Sequence, residues 1–177
     1  MRRTAIAFAI LAPALAWAVG PESDTPPTPT KTTTECTEGM VWDDTLEACV
    51  APQESSLGDD ALYNAAREFA YAGQFEDALG VLSAMSDPGE DRVLTYLGFA
   101  HRQNADADTG MAYYEQALAK NPDNLLARSY MGQAYVKLGA LDLAREQLLE
   151  IRARGGERSW PELALERAIE SGRGYGY

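Results

Sequence analysis

The chain has 177 residues and carries 27 acidic against 15 basic side chains, a formal net charge of -12 with a pI near 4.4. One domain is expected at that length, and a hydrophobic share of 46% argues against wholesale disorder. The charge argues against a nucleic-acid partner, which needs a basic face to displace counterions. One His (His101) and two Cys (Cys36, Cys49) leave too few ligands for most zinc sites, haem attachment or iron–sulfur clusters, so no cofactor is expected.

Met1-Arg2-Arg3 opens the chain, and an apolar run from Ala5 continues past Pro13 to Ala18. A charged start, a short apolar stretch and the small-x-small end Ala16-Trp17-Ala18 form the pattern of a cleaved signal peptide over residues 1–18. The stretch falls short of the roughly 20 apolar residues of a spanning helix, so the exported product is expected not to be an integral membrane protein. No Cys directly follows Ala18, as a lipid anchor would require. The short, alanine-rich leader reads as bacterial and makes the periplasm the expected compartment.

Residues 19–35 are rich in Pro and Thr, a composition that buries no core, and a disordered, partly polyproline-like linker is expected there. Cys36 and Cys49 should pair in an oxidising compartment and staple residues 36–50 into a small loop. Closing it contributes about 3 kcal/mol in the chain-entropy model. Gly39 and Asp43-Asp44-Thr45 flank Val41-Trp42, which predicts a hairpin with Trp42 against the disulfide as its core. The run C-x-x-G-x-x-W-D followed by C-V resembles the closing half of invertebrate-type chitin-binding modules, and also short Cys loops of exported bacterial proteins. That resemblance implies Trp42 as a sugar-stacking platform; only two of the module's cysteines are present here.

From Asp59 one register repeats three times, over residues 59–90, 91–124 and 125–156. The first unit has Ala66 and Phe69, a turn at Gly73, then Ala78, Leu82 and Pro88. The second has Gly98 and His101, a turn at Asn104-Ala105, then Gly110, Tyr114, Ala117 and Pro122. The third has Gly132 and Tyr135, a turn at Gly139, then Ala144, Leu148 and Ile151. Small residues let paired helices approach closely, glycines punctuate the turns, and the prolines end the second helices. Residues 160–171 read as an amphipathic capping helix with Pro161 in its first turn, and residues 172–177 as a disordered tail.

This pattern resembles the tetratricopeptide repeat, a 34-residue helix–turn–helix unit. The third unit, M-G-x-x-Y-x-x-x-G followed by A-x-x-x-L, is the closest match; in the second, His101 stands in place of an aromatic and Gly110 in place of Ala. The resemblance implies an all-α, right-handed helix–turn–helix solenoid of three repeats plus a C-terminal capping helix over residues 59–171. The linker and the disulfide loop precede it. It also implies that His101 is a packed core side chain.

The resemblance places a binding groove on the first helix of each unit. Residue by residue this selects Tyr63, Arg67 and Tyr71, then Arg92, Phe99 and Arg102, then Gln133 and Lys137. The set interleaves aromatics with bases and suits an extended or helical peptide with apolar anchors and some negative charge. The carboxylate clamp of chaperone-binding repeat domains does not carry over, because its positions hold Tyr63, Arg67, Phe99, Leu126 and Tyr130. No enzyme is expected, since no phosphate-cradling glycine motif occurs and the acid pairs Glu76-Asp77 and Asp106-x-Asp108 fall at helix starts. The expected function is a periplasmic protein–protein interaction scaffold docking a peptide segment of an envelope protein. The alternative is a glycan- or peptidoglycan-associated envelope protein contacting sugar through Trp42.

Overall fold

The computed structural model describes residues 24–174 except Ser55. The signal peptide (1–18), the first part of the linker (19–23) and residues 175–177 of the tail lie outside the described residues. A single helical turn, α1 (Lys31–Thr34), precedes an antiparallel hairpin of β1 (Val41–Asp43) and β2 (Ala48–Val50). Three helical hairpins follow. They are α2 (Asp59–Tyr71) with α3 (Phe75–Ser83), α4 (Asp91–Gln103) with α5 (Ala107–Lys120), and α6 (Leu125–Lys137) with α7 (Leu141–Ala153). The last element is α8 (Trp160–Ser171).

Local chemistry sets the helix ends. Asp106, Asn124 and Ser159 cap α5, α6 and α8, each accepting the backbone N–H three residues on. Asp59-Asp60 and Glu76-Asp77 place negative charge in the first turns of α2 and α3, where the helix dipole favours it. Gly73 and Gly139 reverse the chain at φ +77° and +76°, a conformation that costs other residues a Cβ clash. The middle turn uses Ala105 at φ +65° instead, at a cost of about 1 kcal/mol.

Packing follows from the small residues at the helix crossings. Ala66, Ala78, Ala100, Ala117 and Ala144 are fully covered, so backbones approach and large side chains fill the spaces between crossings. Those large side chains are aromatic. Tyr96, Phe99, Tyr114 and Tyr130 are buried at 1% exposure or less, and their rings meet edge-on or tilted: Tyr96–Tyr130 at 6.1 Å, Phe99–Tyr130 at 4.8 Å, Tyr114–Tyr130 at 6.3 Å.

Four expectations are corrected. From Asp24 onward the linker is ordered against α2: Thr30 and Thr33 bond Glu68, and Thr25 bonds Arg67. Thr/Pro composition predicts no self-supporting core, but a buried carboxylate on α2 supplies the missing partner. In the hairpin, Cys36 and Cys49 are bonded, yet the core residue is Val41, which enters the helical core at 2% exposure. Trp42 points to the opposite face, as strand alternation requires, and stays half-buried under Lys31 Nζ at 4.1 Å from its ring centroid. His101 is not a core side chain; it is half-exposed, stacked on Tyr113 at 5.4 Å with Nδ1 3.6 Å from Asp106. There its ring nitrogens stay near water and the Asp106 carboxylate, where a core position would bury them. Finally, the tail does not leave the fold at Gly172, because Gly174 lies against the Gln133 carbonyl and Arg102.

Candidate functional site

The helices α2, α4 and α6 carry all eight residues expected to line the groove. Most of them are inside the molecule. Phe99 and Gln133 are fully buried, Tyr63 and Arg102 are 3% exposed and Arg67 is 6% exposed. Tyr71 and Arg92 are half-buried, and Lys137 is exposed.

Two sub-clusters form. Around α2, the Arg67 guanidinium donates to the Tyr96 hydroxyl (3.2 Å), to Asn64 Oδ1 (3.2 Å) and to the Thr25 carbonyl (2.5 Å). Arg92 lies over the Tyr63 ring at 4.7 Å and pairs with Asp60 at 2.6 Å and Glu90 at 2.7 Å. Nearer α6, Tyr71 stacks on Phe99 at 5.7 Å and shares a 2.7 Å hydrogen bond between its hydroxyl and that of Tyr130. Arg102 is held by the Tyr114 hydroxyl (3.3 Å) and the Phe99 ring (5.6 Å), and Gln133 donates to Ser129 (3.3 Å). Among the described residues Arg102 Nη2 and Gln133 Oε1 have no hydrogen-bond partner. Lys137 sits in the last turn of α6.

The electrostatics follow from this burial. Burial raises the hydroxyl pKa values of Tyr63, Tyr96 and Tyr114, so all three remain neutral donors at physiological pH. The buried guanidiniums of Arg67 and Arg102 are thus matched by phenol oxygens and ring faces. Asp24 approaches Arg67 from the N-terminal segment, but burial outweighs the attraction and raises its carboxyl pKa.

The expected open groove is closed from both ends of the fold. On the α2 side, residues 25–33 run across the helix. Glu68, 6% exposed, accepts from Thr30 N and Oγ1 (both 2.7 Å), from Thr33 N (3.1 Å) and from Thr33 Oγ1. On the α6 side, α8 covers the groove positions. Ser129 Oγ donates to the Pro161 carbonyl at 2.7 Å, Val136 packs with Ala168, and the Trp160 ring stands 6.3 Å from Tyr130 and 6.5 Å from Tyr71. Arg152 on α7 clamps α8 through Glu162 (2.5 Å) and Glu166. A cleft of about 680 Å³ stays open between Thr25–Thr30 and α2, lined by Asp60, Tyr63, Asn64, Arg67 and Arg92.

The sequence reasoning missed Glu68, Asn64, Thr25, Thr30, Thr33 and Trp160. Glu68 carried one faint signal: with Arg67 it interrupts an otherwise apolar helix stretch, Ala65 to Ala70. A carboxylate buried there must accept hydrogen bonds.

Stacked helical hairpins with small residues at their crossings define a helical-repeat protein. Residues 99–164, from the middle of α4 into α8, match the family model described as tetratricopeptide repeat. Neither the curated proteins nor the solved structures give a match. Over those residues the chain is similar to a family that consists generally of non-enzymatic protein–protein interaction scaffolds. No helix among the described residues is long and apolar enough to cross a membrane.

Proposed function

We propose that the protein is an exported, non-enzymatic adaptor of the periplasm that docks a peptide segment of an envelope protein in the concave groove, at the open cleft of α2 and α4. The observation that carries this reading is that the groove already holds polypeptide: Arg67 takes the Thr25 main-chain carbonyl, and Glu68 takes the N–H of Thr30 and that of Thr33 in α1. Those are contacts to any peptide backbone, and the flanking Tyr63 ring and Arg92 supply side-chain selectivity. The Cys36–Cys49 bond and the leader-like residues 1–18 support the compartment.

The test is affinity capture from envelope extracts with the wild type and with Arg92→Glu. Arg92 is half-exposed and its reversal removes a groove cation without opening the core, which matched melting curves would establish. Loss of captured partners with Arg92→Glu supports the groove. Equal capture by both proteins would falsify it.

A further inference from the structure

The stretch Asp24–Thr30 sits where a partner peptide has to sit if the groove is the docking surface. Its residues 26–30 form neither helix nor strand and include Pro26, Pro27 and Pro29, so it carries few main-chain donors of its own and meets little entropic cost on docking. It offers α2 three kinds of contact. The Thr25 carbonyl accepts from Arg67, the Thr30 hydroxyl and N–H donate to Glu68, and Pro26 and Pro27 line the cleft together with Tyr63 and Asn64.

Its C-terminal end is fixed twice, since Thr32 Oγ1 accepts from Trp42 N and the hairpin beyond it inserts Val41 into the core. Toward Asp24 the Thr25 carbonyl accepts from Arg67, and Asp24 is half-buried at a cost in solvation that Arg67 only partly offsets. A segment docked on the outside of the helices can leave by local opening without disturbing them.

We propose that residues 24–30 are an intramolecular ligand of the α2–α4 groove, and that the partner is a peptide of the same chemistry that displaces them. That chemistry is an extended, Pro-rich segment with a free carbonyl for Arg67 and a Thr or Ser amide and hydroxyl for Glu68. The proposal rests on the groove being the docking surface. The cis segment then sets a threshold: a partner binds only as far as its affinity exceeds that of the tethered copy, which is present at high effective concentration.

The test uses the full chain, oxidised, and a fluorescein-labelled peptide of sequence DTPPTPTKTTT, matching residues 24–34, followed by fluorescence anisotropy. Three proteins are compared: wild type, Thr30→Val/Thr33→Val, and the same double variant with Glu68→Gln. The threonine changes loosen the cis segment and leave the groove side intact. The double variant should bind the peptide at least tenfold more tightly than wild type, and addition of Glu68→Gln should remove that gain. Equal binding to wild type and double variant overturns the proposal, as does failure of all three to bind or a gain that survives Glu68→Gln. Helical circular dichroism verifies that each variant is folded. No envelope partner enters this assay, so a positive result here with failed capture by the wild type would fault the partner's class and not the self-docking.

Discussion

Gly98 on α4 and Gly110 on α5 face each other across the closest helix crossing of the molecule's middle repeat. A Cβ added at Gly98 would lie 2.9 Å from the Gly110 carbonyl oxygen, and one added at Gly110 would lie 2.8 Å from that of Gly98. Backbone meets backbone there, so no side-chain rotation can relieve the contact. Alanine at either position gains about 1 kcal/mol of helix propensity, but overpacking costs about 1–3 kcal/mol and here has no flexible atom to yield. Gly98→Ala is expected to be net destabilising and to lower the urea midpoint with the slope unchanged. An unchanged or raised midpoint would show that α4 and α5 separate freely.

Glu68 offers a second prediction, because its four hydrogen bonds belong to one segment only. Hydrogen bonds to a charged group contribute about 1.5–3 kcal/mol each, but the segment can leave before the helices do. Glu68→Gln should therefore raise amide exchange of residues 30–34 at least tenfold, while α4 to α7 keep their protection. Exchange that rises uniformly over the chain would contradict local docking.

The clamp between α7 and α8 has a pH dependence of known sign. The hydrogen bond from Arg152, helped by the Arg158 N–H, holds the Glu162 carboxyl below the usual carboxylate range. A lowered folded-state pKa contributes stability that is present above the unfolded value and lost as pH falls through the folded one. Wild type should exceed Glu162→Gln in melting temperature near neutral pH, with the gap closing in acid below about 4.5. A gap that stays constant with pH would assign the effect to packing instead.

The disulfide predicts both a chemical and a structural outcome. Thiol labelling should add nothing to the oxidised protein and two labels after reduction. Reduction removes up to about 3 kcal/mol from the hairpin, yet Val41 still sits in the helical core. The reduced protein should keep its helical circular dichroism, and Val41→Asp should detach the hairpin even with the disulfide intact. Loss of helix on reduction alone would mean that the staple supports the repeats.

The repeat architecture was legible because helix–turn–helix units write themselves locally. Gly73 and Gly139 mark the turns, Asn124 and Ser159 the helix starts, and Gly98 with Gly110 the close crossing; each depends on neighbours a few residues away. His101 shows where that logic fails. Its register position forecast a core side chain, but the imidazole stacks on Tyr113 with Nδ1 toward the Asp106 carboxylate and stays half-exposed.

The groove could not be read in this way. Its eight expected residues fall on α2, α4 and α6, but exposure is a property of what comes to lie over them, and that material is far away in sequence. Residues 25–33 arrive on Arg67 and Glu68 from about forty positions upstream, and α8 arrives on Ser129 and Tyr130 from about thirty downstream. The sequence by itself determined a three-repeat helical solenoid behind a paired-cysteine loop, since propensity, capping and periodicity act within a turn or two of helix. Only the tertiary structure decided that the concave face is occupied by the chain's own two flanks. A buried carboxylate and a buried guanidinium on α2 must find hydrogen-bond partners, and the nearest polypeptide able to supply them is the segment that composition alone would have left free.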